Sequence, residues 1–185
     1  MTPEEIRELL AGDAPDVAPR LLGMRLRSEI GGVVTEVVLT EVEAYTEDDP
    51  ASHAFRGPTG RNRAMFGRAG LLYVYRSYGV HWCANVVTGA EGSGQAVLLR
   101  GGKVVEGRAE VIRRRGRTDH LADGPGKLCQ ALGITEEHDG TDLLGGGPIQ
   151  LLPGSPPDTY LATPRVGISR ATEVRWRFVA VAGEG

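Results

Sequence analysis

Apolar and polar positions alternate from Val33 to Tyr45 (VVTEVVLTEVEAY), a stretch dense in β-branched residues, and this predicts one long strand after the Gly31-Gly32 break. A period of two puts Val37, Leu39, Glu41, Glu43 and Tyr45 on one face and Val38, Thr40, Val42 and Ala44 on the other. Two glutamates on an otherwise apolar face do not belong in a core, so that face must end at solvent or at a site. Residues 71–75 and 80–87 read as two further strands joined by a turn at Arg76-Ser77-Tyr78-Gly79. That turn leaves Tyr78 near a hairpin tip with little to pack on. Strands are also predicted at 95–99, ending at Arg100, at 149–152 and at 173–182.

Caps and breakers punctuate the helices. Thr2, Pro3 and the Glu4-Glu5 pair open a first helix, which Gly12 closes. Others are expected over 16–22, from the Asp48-Asp49-Pro50 cap through His53, over 106–115, and over 127–132 after Gly124-Pro125-Gly126. Gly57-Pro58-Thr59-Gly60 is a loop. No repeat or linker-like stretch interrupts the 185 residues, so the chain reads as one domain, 1–185.

Charge matters here locally. The 21 basic and 24 acidic residues give a net charge of −3, which argues against a generic nucleic-acid binder. Between Pro50 and Ala90, however, the chain carries Arg56, Arg61, Arg63, Arg68 and Arg76 and no acidic residue: the acids stop at Asp49 and resume at Glu91. A field of this kind suits a phosphate backbone. Cys83 and Cys129 have no paired spacing, and His53, His81, His120 and His138 are scattered, so neither a metal nor another cofactor is expected. Without a signal-peptide pattern or a membrane-length apolar run, the chain reads as cytoplasmic, with no membrane partner.

Within residues 41–85 the candidate chemistry concentrates on Glu43 and the tyrosines. Hydrolysis of a glycosidic bond needs a carboxylate that deprotonates water and offsets a developing oxocarbenium charge. Glu43 fits that role one step before Tyr45 on the same face, and fits a strand-end ion pair with an arginine equally well. Glu41 with Glu43 would make the carboxylate pair of a sugar hydrolase. Tyr45, Tyr73, Tyr75 and Tyr78 could be core aromatics, or could stack on an extruded base at about 1–3 kcal/mol per base. Tyr73 suits the core reading and Tyr78 does not. Gly124-Pro125-Gly126-Lys127 is either a simple helix cap or a phosphate-holding helix start. The basic run from Arg113 to Arg117 is most simply a solvated helix end.

Seven segments in order resemble the alkyladenine (3-methyladenine) DNA glycosylase family: EVEAY at 41–45, ASHAFRG at 51–57, TGRNRAMF at 59–66, YVYRSYG at 73–79, AVLLR at 96–100, GPGKLCQALGI at 124–134 and PRVGI at 164–168. The resemblance implies an enzyme that flips alkylated purines (3-methyladenine, 7-methylguanine, and less readily hypoxanthine) out of duplex DNA. It would excise them hydrolytically, without lyase chemistry or a metal, to start base excision repair. It implies Glu43 as general base, with Arg100 and the Val166 carbonyl completing the water's binding. Tyr45 and Tyr75 would stack on the base, His53 would form a further wall, and Asn85 would exclude the amino group of normal guanine. Tyr78, with Val80 beside it, would wedge into the duplex, while Arg56, Arg61, Arg63 and Lys127 would meet the backbone.

The implied fold is α/β of the α+β type, a single domain with a curved, mainly antiparallel mixed sheet, peripheral helices and a protruding DNA-intercalating β-hairpin. A monomer acting on double-stranded DNA with damaged purines is expected. The chain departs from the family pattern in a loop between Tyr45 and His53 that is one residue shorter and carries Glu47-Asp48-Asp49, in the small Val80 beside the wedge, and in lacking a long basic N-terminal extension. The other reading left by the residues is a non-catalytic module that binds damaged DNA or RNA.

Overall fold

Gly31 and Gly32 adopt left-handed backbone angles (φ 63° and 75°) and fold the chain back on itself. They make the two-residue turn between Arg25–Ile30 (β1) and Val33–Tyr45 (β2), with Ile30 opposite Val33. β1 is a strand that the sequence reading did not anticipate, although a Gly-Gly turn before a strand is its signal. This computed structural model describes residues 1–183.

The sheet is completed by Leu72–Ser77 (β3), His81–Thr88 (β4), Gln95–Glu106 (β5), Ile149–Leu152 (β6), Tyr160–Thr163 (β7) and Arg177–Ala180 (β8). The strand order is β3-β4-β5-β2-β1-β6, with β8 also pairing β2 and β7 pairing β8. All of these pairings are antiparallel. One edge of β2 runs along β5, while its other edge is shared between β1 and then β8. Four helices flank the sheet: Pro3–Leu10 (α1), Ala14–Leu21 (α2), Arg108–Arg115 (α3) and Pro125–Leu132 (α4). α1 opens on the expected Thr2 cap, with Glu5 reaching back to the Thr2 amide at 2.7 Å.

Several boundaries differ from the sequence reading. α2 begins after Asp13 rather than at Asp16, with Pro15 in its first turn. β5 runs past Arg100 through Gly101 and Gly102 as far as Glu106, so α3 starts at Arg108, after a left-handed Gly107. Residues 48–53 form turns rather than a helix, because the Asp49 carboxylate accepts the Ala51 amide at 2.9 Å and caps a tight turn instead.

The largest difference lies inside β2. Leu39 pairs with Gly102 and Glu41 with Gly101, leaving Thr40 as an extra residue. Val42 then pairs with Leu99, leaving Arg100 as an extra residue on β5. This double bulge shifts the side-chain phase by one. Val37 and Leu39 enter the main core before it, and Val42 and Ala44 enter the same core after it. Glu41, Glu43 and Tyr45 therefore do not share a face with Val37 and Leu39. The apolar face with two misplaced glutamates does not exist in the folded chain, since the bulge turns the carboxylates to the other side of the sheet.

Beyond the bulge the sheet keeps two distinct faces. Leu72, Val74, Ala84, Val86, Val97 and Leu99 pack into the main core with α1, α2 and α4, where each fully buried leucine contributes about 1.5–3 kcal/mol. Their alternates, Tyr73, Tyr75, Cys83, Asn85, Leu98 and Arg100, line the opposite side.

Candidate active site

That second face forms one wall of a cavity of about 610 Å³. Residues 50–53 and 166–170 also line it, and Ser77 and Tyr78 extend it to the tip of the β3–β4 hairpin. Of the residues singled out in the sequence, Tyr45, His53, Tyr75, Tyr78, Asn85, Arg100 and Val166 all contribute to this one cavity.

Glu43 lies just behind it, fully buried. Its Oε1 accepts the Tyr45 hydroxyl at 3.0 Å and lies 3.5 Å from the Arg100 guanidinium, while its Oε2 accepts the Val166 amide at 2.7 Å. The expectation for Val166 concerned its carbonyl, but the group that meets Glu43 here is the amide N–H. Arg100 projects from the bulge and also donates to Glu41 at 2.9 Å, and Arg177 of β8 donates to the same Glu41 oxygen at 2.7 Å. Burial pushes the Glu41 carboxyl up, but the two guanidinium partners outweigh it and hold its pKa below the usual range. Burial lowers the pKa of Arg100, and the Glu43 and Glu41 carboxylates more than reverse that effect.

The aromatic wall is tightly coupled. The His53 ring meets Tyr75 edge-on at 4.3 Å between centroids, and its Nδ1 is 3.1 Å from the Tyr73 hydroxyl. His53 stays accessible at the rim, yet crowding by the wall lowers its pKa and favours the neutral ring. A neutral imidazole can accept the Tyr73 proton at Nδ1, which leaves Nε2–H as its donor. The phenol pKa values of Tyr45 and Tyr75 are raised, mainly by burial, and next by Glu43 and Cys83 respectively. Asn85 is buried and donates to the Tyr73 carbonyl across the β3–β4 pair at 3.2 Å.

The hairpin tip is a tight turn closed by the Val80 amide on the Ser77 carbonyl at 3.0 Å. Tyr78 takes a positive φ of 50° there, followed by Gly79 at 66°. Such a conformation is costly for a bulky residue. Tyr78 is 89% exposed and its neighbour Val80 65% exposed. A large ring held in strained backbone and offered to solvent has no role in folding.

The basic residues divide into three groups. Arg56, Arg61 and Arg63 are exposed and form no salt bridge among the described residues. Their loop is pinned by the buried Asn62, whose side chain donates to the His53 and Gly57 carbonyls at 3.0 and 3.2 Å. Arg68 is held by Asp142 at 2.9 Å, and Lys127 by Asp123 at 2.9 Å, so both cations are already partnered. Arg76 and Arg170, by contrast, stand on the cavity wall.

Two contributors escaped the sequence reading. Arg170 was a charge beside PRVGI, with nothing to place it. Arg165, one step before Val166, is buried and clamps Asp49 through both terminal nitrogens while donating to the Ala44 carbonyl at 3.0 Å. The acidic Glu47-Asp48-Asp49 stretch, with no nearby base in sequence, was the signal that a distant cation was needed. Among the described residues, no three His, Cys, Asp or Glu side chains come together as a metal-ligand group, and no helix is long and apolar enough to cross a membrane.

The model of the family described as methylpurine-DNA glycosylase (MPG) matches residues 8–184. The chain belongs to the methylpurine-DNA glycosylase family. A Methanoculleus marisnigri protein is 50% identical over 175 residues, covering 90% of this chain and 89% of the relative. An Agrobacterium fabrum protein is 49% identical over 182 residues, covering 96% and 89%. A Rhodopseudomonas palustris protein is 46% identical over 178 residues, covering 95% and 86%. Each bears the name "Putative 3-methyladenine DNA glycosylase". The matched span includes every residue that lines the cavity and Glu43 behind it.

Proposed function

We propose that this protein is a monofunctional DNA glycosylase that flips alkylated purines out of duplex DNA and hydrolyses their N-glycosidic bond. The observation that carries this reading is the buried Glu43 carboxylate, held by Tyr45, Val166 and Arg100 directly behind an aromatic cavity next to the exposed Tyr78. In this reading Tyr78 and Val80 enter the duplex in place of the extruded nucleotide. Tyr45 and Tyr75 stack on the base, His53 forms a wall, and Asn85 limits the space beside its exocyclic group. Stacking at about 1–3 kcal/mol per base offsets the few kcal/mol needed to unstack it. Arg56, Arg61 and Arg63, with Arg76 and Arg170, meet the phosphates; Lys127 contributes less because Asp123 holds it.

The water's oxygen bonds to C1′ while its proton passes to Glu43, and the glycosidic electron pair leaves with the base. A methylated purine cation departs neutral, so one carboxylate suffices. Water reaches Glu43 when the Val166 amide releases Oε2, and Arg100 balances the carboxylate charge until then. A neutral purine would need a proton donor. Glu41 is a poor one, because two guanidinium groups keep it ionised. The same contacts weigh against a two-carboxylate sugar hydrolase.

Incubation with duplexes carrying single lesions, followed by measurement of free base, tests this reading. Release of 3-methyladenine and 7-methylguanine well ahead of hypoxanthine is expected. Tight binding to an abasic-site duplex with no release from any lesion would instead favour a non-catalytic damage-binding module.

A further inference from the structure

We propose that the buried Asp49–Arg165 pair, standing behind Tyr45, sets the preference of the cavity for cationic over neutral bases by cancelling a positive charge that would otherwise act through the ring. This deepens the glycosylase reading and rests on it. The Arg165 side chain is 0% exposed and that of Asp49 2%. The guanidinium carbon lies 4.7 Å from the centroid of the Tyr45 ring and 5.3 Å from that of Trp176. Tyr45 lines the cavity and Arg165 does not, so the guanidinium occupies the side of the ring turned away from the cavity.

An uncompensated cation there would draw π density off the face offered to a base and repel a cationic base directly. Asp49 removes that effect. Both terminal nitrogens of Arg165 bind its carboxylate, one of them to Oδ1 at 3.1 Å, and it is the one acid in a salt bridge with Arg165 among the described residues. A unit charge about 9 Å from a cationic base, at an effective dielectric of about 20, changes affinity roughly ten- to thirtyfold. The pair therefore lets one aromatic wall use an arginine as a rigid support without losing its attraction for cations.

The test compares wild type, Asp49→Asn and the double variant Asp49→Asn/Arg165→Met. Asparagine keeps the Oδ1 acceptor used by the Ala51 amide at 2.9 Å. Methionine keeps an apolar chain between the rings. Equilibrium affinity is measured for two duplexes that differ only in charge, one carrying 7-methyladenine with its fixed positive charge and one its neutral 7-methyl-7-deaza isostere. Both sugars carry a 2′-fluorine that blocks cleavage.

Asp49→Asn should lower the cationic-to-neutral affinity ratio about tenfold or more, and the double variant should restore it to within about threefold of wild type. An unchanged ratio in Asp49→Asn, or a double variant as poor as the single, overturns the proposal and leaves the pair a scaffold. If Asp49→Asn does not fold, Arg165→Met at pH 8.5 carries the test. Its stranded carboxylate should raise the ratio, and a ratio at or below wild type overturns the proposal. Failure to release base from ordinary deoxyribose substrates would instead sink the catalytic reading without moving this ratio.

Discussion

Val166 and Glu43 are separated by 123 residues in sequence, yet the Val166 amide donates to Glu43 Oε2 at 2.7 Å. The contact joins a strand to a loop through backbone, so the side chain of residue 166 is not what matters. Val166→Ala should keep base release within about threefold of wild type. Val166→Pro removes the donor and leaves a buried carboxylate oxygen unpaired, which costs about 1–3 kcal/mol of stability. Thermal melting and single-turnover release, measured on both variants, check the contrast.

Tyr78 gives a prediction in which stability and function part company. Its φ of 50° suits glycine better than tyrosine, and the ring buries little against the protein. Tyr78→Gly should leave folding stability within about 1 kcal/mol of wild type. It should nevertheless weaken binding to a lesion duplex about tenfold or more, because nothing then fills the gap in the stack. Denaturant titration and fluorescence anisotropy separate the two effects.

Glu41 links acid stability to the arginines. Its pKa is depressed in the fold, so its contribution is fully present above the ordinary carboxylate pKa and is lost as pH falls through the folded value. Glu41→Gln should destabilise the fold by about 1–3 kcal/mol near pH 7, and the gap to wild type should narrow below the ordinary carboxylate pKa and close as pH falls through the lower folded value. Base release near pH 7 should persist, since glutamine still offers Arg100 an oxygen. Loss of all activity in Glu41→Gln would bring back the two-carboxylate reading.

The salt dependence of duplex affinity should be steep. Arg63→Ala should reduce the log–log slope by about 0.9, as one released counterion is lost. Lys127→Ala should change it less, because Asp123 already holds that ammonium at 2.9 Å. Equal slopes for the two variants would remove the distinction drawn between free and partnered cations.

Much of this was legible in the sequence because it is local. The Thr2 cap, the Tyr78 turn and the long β2 strand are each written in neighbouring residues, and the ordered motifs brought in Arg100 and Val166 from outside the central run. What could not be read was set by pairing at a distance. The bulge at Thr40 and Arg100 exists only once β2 lies against β5, and it turns Glu43 away from the face that strict alternation assigns to it. Arg165 likewise gains its place from Asp49, 116 residues away. The helix expected at residues 48–53 failed for a local and a distant reason together, since the Asp49 carboxylate caps a tight turn and also holds Arg165.

The central claim is that Glu43 delivers water to C1′. Single-turnover release of 7-methylguanine from a duplex, by wild type and Glu43→Gln at saturating enzyme, tests it most directly. Glutamine keeps the size of the side chain and one acceptor oxygen, enough for one of the Tyr45 and Val166 contacts, but it cannot take the proton. The rate constant should fall by about 10²–10⁴-fold while affinity for the lesion duplex stays within about threefold. Equal rates for the two proteins would contradict the account.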